Sequence, residues 1–297
     1  MIAREELHED KEKIEDYLKA LKEWIEKSPH LKARTDDQFL VAFLRGCQYS
    51  LEATKKKLDT FYTLRTHIPE LLSNRDPMDI KLREVIKLGI GIPLPLTETP
   101  GSPRIFLIRH GIYDANMFTL HDVMKVSTMI NDILLRDDDN FVVAGQIGIL
   151  DLSGVSFKHF AQYNPGFIKK MTLLSHDGSP IRHRAFHYIN TPPGFDNVFT
   201  VFMSLMNETD RNSVSYHDLE SLFKIIPRRI MPFEYGGEAG PLQEIIDDWE
   251  KKILSYRMYF QEDEEQFGVD ESKRIDRSNN AESLFGAEGS FNQLNFY

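Results

Sequence analysis

Apolar positions recur at helical spacing through the first quarter of the chain. Between residues 14 and 25 they step by three and four, which places them on one face of a helix. Thr35 and Gln38 form a capping-box pattern before a second apolar run, and Ser50 is placed to cap a third helix. We therefore predict that residues 1–75 form an all-helical domain.

The pattern changes after this domain. Residues 76–103 are rich in proline and glycine and read as a connecting segment. Beyond it, strand-like apolar runs alternate with helical ones, which indicates an α/β domain with a mostly parallel sheet covered by helices. The predicted strands are 104–109, 141–150 and 185–189, and the predicted helices are 118–136, 157–175 and 194–206.

We place this α/β domain at residues 104–245 and a C-terminal helix at 246–264. Residues 265–297 are polar, acidic and rich in Ser and Asn, a composition typical of a disordered tail.

Charge and hydropathy argue against two classes of protein, nucleic-acid-binding proteins and proteins with a membrane-spanning helix. The 297 residues carry a net charge of −10, and this acidic excess argues against nucleic-acid binding, which needs many Lys and Arg side chains. No apolar stretch approaches the ~20 residues of a membrane-spanning helix. The first residues do not resemble a signal peptide, so we expect a cytoplasmic protein.

Catalytic and metal-binding patterns are weak. The sequence contains neither of the Gly-rich phosphate loops, G-x-G-x-x-G after a strand or G-x-x-x-x-G-K-S/T, and it contains no G-x-S-x-G nucleophile elbow. Cys47 follows a helix end, where the helix dipole disfavours a thiolate, so we interpret it as a structural thiol. His183 and His187 would share one strand face but lack an evident third ligand for zinc. We expect no enzyme activity, no cofactor and no metal.

Residues 194–206 form an unusual helical segment, because apolar side chains surround most of its circumference. Such a helix is either buried in a core or forms a lid that can touch a membrane, with Pro192-Pro193-Gly194 as its hinge. The spacing alone leaves both interpretations open.

Four motifs resemble those of the CRAL-TRIO lipid-transfer family, in the family's order and spacing. They are the helical run 39–47, Asp151-Leu152-Ser153-Gly154 after a strand, His187 to Pro192, and Pro232 to Gly237. The resemblance covers about residues 10–245. It implies a small helical domain beside an α/β domain whose sheet floors an apolar pocket closed by a mobile gate helix.

The resemblance also implies which positions face the ligand. From the gate they are Phe195, Val198, Val201, Phe202 and Leu205; elsewhere they are Met124, Ser127, Asn131, Leu150, Met171, Leu174, Ser175, Ile181 and Phe186. Ser127 and Asn131 share one helical face, so we predict that they bind the ligand's hydroxyl, carbonyl or carboxylate. The alternative is a pair of outward-facing polar residues.

The family's tocopherol-type members bind phosphoinositide head groups at a basic rim, and four basic residues match or lie near that rim. They are Lys56, Arg182, Arg184 and Arg211. Cys47 replaces one of the family's basic residues. Just beyond the gate helix, where the family has two basic residues, this chain is two residues shorter and keeps only Arg211, so the site is only half present. Weak attraction to anionic membrane is the alternative.

The sequence therefore predicts a soluble carrier that encloses one hydrophobic small molecule and exchanges it through transient membrane contact of the gate helix. A retinoid, tocopherol, carotenoid or similar isoprenoid fits such a pocket. The alternatives are a phospholipid or phosphatidylinositol transfer protein and a lipid-responsive adaptor that recruits a partner through its acidic tail.

Overall fold

Helices dominate the first 90 residues, and the main sheet is built from later segments. The computed structural model describes residues 2–192, 200, 203–204, 208–275 and 280–285. Its helices are α1 (Ile2–Leu7), α2 (Ile14–Glu26), α3 (Asp37–Gly46), α4 (Leu51–His67), α5 (Pro69–Leu72), α6 (Ile80–Leu88), α7 (Leu120–Asp137), α8 (Asp139–Ala144), α9 (Phe157–Phe160), α10 (Pro165–Thr172), α11 (Glu208–Asn212), α12 (Leu219–Leu222), α13 (Leu242–Ser255), α14 (Arg257–Gln266) and α15 (Ala281–Phe285). Its strands are β1 (Leu31–Lys32), β2 (Gly91–Pro93), β3 (Arg104–Arg109), β4 (Gln146–Asp151), β5 (His183–Ile189), β6 (Val214–His217) and β7 (Gly268–Val269).

The chain divides into two compact units. The first unit comprises Met1–Asn74, Pro165–Pro180 and Glu262–Tyr297, and the second comprises Arg75–Asn164 and Ile181–Gln261. The helical unit therefore takes in two segments beyond the predicted residues 1–75.

Aromatic packing builds the core of the first unit. Phe43 and Phe61 meet edge to face with their ring centroids 5.1 Å apart, and Tyr62 packs edge to face on Phe61 at 5.0 Å. The sequence places the cap of α3 one residue too early, because the Asp36 carboxylate, rather than Thr35, accepts a hydrogen bond from the Phe39 amide at 3.0 Å.

The C-terminal segment corrects a prediction. Residues 265–275, expected to be disordered, are ordered: β7 pairs with β1, and the Arg274 side chain is buried. The Arg274 guanidinium donates to the Asp59 carboxylate at 2.6 Å and to the Thr63 hydroxyl at 2.8 Å. A polar composition does not reveal this, since the contacts that order the segment join it to residues far away in the sequence. Residues 276–279 and 286–297 lie outside the described part of the chain.

The main sheet lies entirely in the second unit and has the order β2-β3-β4-β5-β6. The β2–β3 pair is antiparallel and the other three pairs are parallel. The predicted α/β fold with a mostly parallel sheet is therefore confirmed.

Side-chain alternation gives the sheet two different apolar faces. Ile105, Leu107 and Ile149 point to one face, which α12, α13 and the segment between them cover with side chains such as Leu222 and Ile245. Leu150 and Tyr188 point to the opposite face, which carries the candidate site.

Candidate functional site

A small cavity lies on the face of the sheet that carries Leu150. We call it the sheet-face cavity; its volume is about 30 Å³. Its lining residues come from the ends of β3, β4 and β5 and from the segment after β4, and they are His110, Leu150, Leu152, Val155, His159, Phe160, Tyr163 and Tyr188. The walls are mainly apolar, with a few polar atoms at defined positions, as in sites for lipophilic ligands.

Three of the family-like motifs meet at one carboxylate beside this cavity. Asp151 accepts hydrogen bonds from the Tyr235 hydroxyl at 2.6 Å, the Asn190 amide at 2.9 Å and the Ser153 backbone N–H at 2.9 Å. Burial raises the pKa of the Asp151 carboxyl, but these donors outweigh that effect and leave its pKa below the ordinary value. The motif residues thus fix the ends of β4 and β5, which position Leu150.

Backbone geometry explains two residue types beside the sheet-face cavity, Asn190 in the third motif and Gly111 after β3. Asn190 has a φ of 54°, a left-handed conformation that asparagine tolerates better than most residues. Gly111, which follows His110, passes so close to the next loop that an added Cβ would lie 1.9 Å from the Ser153 carbonyl oxygen. Only glycine fits there, and this close approach holds the backbone beside His110 in place.

Of the predicted ligand positions in the second unit, Leu150 lines the sheet-face cavity. Leu150 also belongs to an apolar cluster with Leu152, Val155 and Tyr188, and Phe186 packs against this cluster. Ile181 is buried just before β5, and Met124 is half-buried on α7.

The structure places Ser127 elsewhere. Ser127 borders a separate cavity of about 10 Å³ between α6, β2, α7 and α13, and its hydroxyl donates to the Val123 carbonyl at 3.3 Å. Asn131 is half-buried, and its side chain has no hydrogen-bond partner among the described residues. The shared helical face is therefore real, but it does not bring Ser127 to the cavity that Leu150 lines.

Three predicted ligand positions belong to the first unit. Met171 lies on α10, and Leu174 and Ser175 lie on the π-helical turn Leu173–Asp177 that continues it; all three are half-buried. The Ser175 hydroxyl donates to the Met171 carbonyl at 2.9 Å, as serines inside helices often do. The helix predicted at 157–175 is thus divided into α9, α10 and a π-helical turn.

The predicted gate positions Phe195, Val198, Val201, Phe202 and Leu205 lie outside the described residues. Met203, which the sequence analysis did not select, is described: it is half-buried and packs against the apolar cluster around Leu150 and Tyr188.

The predicted basic residues are at least partly accessible. Arg184 is exposed on β5 and its Nε donates to the Ala144 carbonyl at 2.9 Å, while Arg182 is half-buried immediately before that strand. Arg211 is exposed on α11. Lys56 is exposed on α4 of the first unit.

The surroundings of Cys47, His183 and His187 do not indicate a reactive thiol or a metal site. Burial raises the pKa of the half-buried Cys47 thiol, the opposite of what a reactive thiolate needs. His183 hydrogen-bonds Gln146 at 2.9 Å, and His187 hydrogen-bonds His217 at 3.1 Å. Among the described residues, no group of three or more His, Cys, Asp or Glu is arranged to hold a metal. No helix in the described ranges is long and apolar enough to cross a membrane.

Comparison with known proteins decides the family. The CRAL/TRIO domain model matches residues 97–237. The "Alpha-tocopherol transfer protein-like" protein of Mus musculus is 31% identical over 257 residues, which are 85% of this chain and 73% of that relative. The chain belongs to the CRAL-TRIO family. The resemblance inferred from the four motifs is thereby confirmed.

Further matches agree with this CRAL-TRIO assignment. A Pinta-like UBA domain model matches residues 10–82, a range that contains helices α2 to α5 and extends eight residues into the second unit. Clavesin-2 of Homo sapiens is 23% identical over 286 residues, covering 92% of this chain and 87% of the relative. The crystal structure of Sfh5 superposes with a TM-score of 0.53 at 13% identity, over 84% of this chain and 99% of that one, which supports the fold alone.

Several residues that line the sheet-face cavity were missed by sequence reasoning, chiefly His110, His159 and Tyr163. His110 directly follows the apolar run of β3, and a polar residue where a parallel strand ends is a signal that could have selected it. Tyr163 had no comparable signal, because its direction depends on the fold of the segment between α9 and α10.

Proposed function

We propose that this protein is a carrier that binds one uncharged hydrophobic small molecule of the isoprenoid type and exchanges it at membranes. A retinoid, a tocopherol or a carotenoid represents the class. The observation that supports it most directly is the largely apolar sheet-face cavity in a CRAL-TRIO domain. The name of the relatives that are 30–31% identical points to the same class of ligand.

The energetics favour such a ligand. Burying apolar surface stabilises a complex by about 25 cal/mol per Å², so a molecule that buries a few hundred Å² gains enough free energy for tight binding without any charge pairing. The cavity volume of about 30 Å³ fits the end of such a molecule, so the rest of the ligand must contact other surfaces. We place it against the apolar cluster that includes Phe186 and Met203.

Exchange at membranes is supported by the exposed cations Arg184 and Arg211, which can pair with lipid phosphates. We propose that these residues, with Arg182, attract the protein to anionic membrane or to a phosphoinositide head group, while the apolar segment 194–206 contacts the lipid. Lys56 of the first unit is exposed as well, and we propose that it adds to the attraction to anionic membrane. Because the established lipid-binding family needs no covalent step, we propose no catalysis.

A phospholipid transfer protein is the alternative for the same site. A phosphodiester inside a pocket needs a cation or several N–H donors close to it. Among the described residues that line the sheet-face cavity there is no Lys or Arg. This lining favours an uncharged ligand over a phospholipid.

Transfer between vesicles tests the proposal. Donor vesicles of phosphatidylcholine carry radiolabelled α-tocopherol, retinol or phosphatidylinositol, and label that reaches acceptor vesicles is measured with and without protein. We expect the protein to accelerate transfer of at least one of the two isoprenoids and to leave phosphatidylinositol near the uncatalysed rate. Acceleration of phosphatidylinositol alone would replace the proposal with its alternative, and no acceleration of any lipid would contradict both.

A further inference from the structure

A histidine and a tyrosine meet on one wall of the sheet-face cavity. The Tyr163 hydroxyl lies 3.1 Å from His110 Nε2, and the two rings are arranged edge to face with centroids 5.9 Å apart. Both side chains line the cavity together with Leu150 and Val155. A polar pair is therefore set into a wall that is otherwise mainly apolar.

The imidazole of His110 keeps hydrogen-bonding capacity for a ligand. A neutral imidazole has one N–H donor and one nitrogen acceptor, and the Tyr163 hydroxyl can satisfy only one of them. In the part of the chain that the structure describes, Tyr163 is the only hydrogen-bond partner of the His110 ring.

The neighbouring histidine is not available in the same way. His159 Nδ1 accepts from the Ser156 backbone N–H at 3.1 Å, and His159 Nε2 lies 2.9 Å from the Tyr113 carbonyl oxygen. Both ring nitrogens of His159 are thus used inside the protein, and the hydrogen bond to the carbonyl fixes its tautomer.

The His110–Tyr163 pair is uncharged at neutral pH. Burial, with a smaller contribution from His159, lowers the pKa of His110 to about 4. Burial also raises the pKa of Tyr163 well above its ordinary value. Within the described lining there is no Lys, Arg, Asp or Glu to supply a countercharge.

We propose that His110 and Tyr163 bind the polar end of the ligand and select an uncharged hydroxyl or carbonyl group against a carboxylate. This inference rests on the proposed function and specifies its ligand. A hydroxyl can both donate to and accept from the pair, and a carbonyl can accept the imidazole N–H. An ionised carboxylate would be desolvated beside neutral groups, which is costly without a paired cation. The polar site thus lies at this pair rather than at Ser127.

A matched ligand series tests the selectivity. Farnesene, farnesol, farnesal and farnesoic acid share one isoprenoid chain and differ at its end. Their affinities for the full-length protein are measured at pH 7.4 by isothermal titration calorimetry. We expect farnesol and farnesal to bind at least about 10-fold more tightly than farnesoic acid. Equal or tighter binding of the acid overturns the inference but not the carrier function. Failure of all four to bind contradicts the proposed function as well.

Variants locate the effect at the pair. Tyr163→Phe is expected to weaken farnesol about 3- to 10-fold more than it weakens farnesene, because it removes only a hydrogen-bonding group. Tyr113→Phe is the matched control: its hydroxyl is buried without a hydrogen-bond partner among the described residues, and it does not line the cavity. Unchanged farnesol affinity in Tyr163→Phe would overturn the inference.

A third variant reverses the preference. His110→Arg introduces a permanent cation that can pair with a carboxylate, so farnesoic acid is expected to bind more tightly than farnesol. A folded His110→Arg protein that still prefers farnesol would contradict the inference. If this variant does not fold, the ligand series and Tyr163→Phe still test whether the His110–Tyr163 pair selects an uncharged polar group.

Discussion

Arg75→Met is expected to lower the free energy of unfolding of the second unit by about 3 to 5 kcal/mol. Arg75 Nη1 donates to Asp132 Oδ2 at 2.7 Å, and the two side chains are only 1% and 6% exposed. Methionine fills much of the same space but leaves a buried carboxylate without its guanidinium. Urea unfolding followed by the fluorescence of Trp249, in a Trp24→Phe background, measures the loss within this unit.

Two further variants test whether the loss of stability in Arg75→Met comes from the buried, unpaired carboxylate. Arg257→Met removes a guanidinium that pairs with Asp76 at 2.8 Å on the surface, and it should cost far less because water solvates the remaining carboxylate. The double variant Arg75→Met/Asp132→Leu should recover most of the lost stability, since no buried charge remains. Equal losses for Arg75→Met and Arg257→Met would show that burial of the ion pair is not what matters.

Leu150→Asp is expected to weaken binding of an isoprenoid by more than about 100-fold. Leu150 lines the sheet-face cavity from β4, and a carboxylate there would be desolvated by the bound hydrocarbon. Titration with retinol, followed by its fluorescence, measures the affinity at a temperature below the melting transition of each protein.

Phe157→Asp is the control for the added charge. Phe157 lies in the same unit but is 71% exposed and does not line the cavity, so the same change of charge should leave the affinity almost unaltered. A folded Leu150→Asp protein that binds retinol as tightly as the parent would contradict a ligand site on this face of the sheet.

The sequence predicted the architecture because the hydrophobic pattern and the motifs are local or short-range signals. Helical spacing located α2, and a capping pattern before an apolar run located α3. The apolar runs of β3 and β4 together with the intervening helix indicated a parallel sheet. The strand predicted at 141–150 begins too early, because residues 139–144 form the helix α8 and β4 begins at Gln146. The motif residues Asp151, Asn190 and Tyr235 prove to be one hydrogen-bonded cluster, which explains why three separate motifs accompany one fold.

The remaining features depend on long-range geometry. Ser127 and Asn131 share a helical face, but only the packing of α7 against β2 shows that Ser127 borders a different cavity. Tyr163 reaches His110 across 53 residues, and Arg274 reaches Asp59 across 215. No spacing rule connects such pairs, and composition alone made the segment with Arg274 look disordered.

An organic extract of the protein purified from its native source is the most direct test of the central claim, that this chain carries an uncharged isoprenoid-type lipid. Mass spectrometry identifies the extracted molecule, absorption from the near ultraviolet to the visible quantifies a chromophore, and a phosphorus assay excludes phospholipid. We expect about one hydrophobic molecule per protein, with a hydroxyl or carbonyl end and no phosphorus. Stoichiometric phospholipid, or protein that is free of lipid, would contradict the claim.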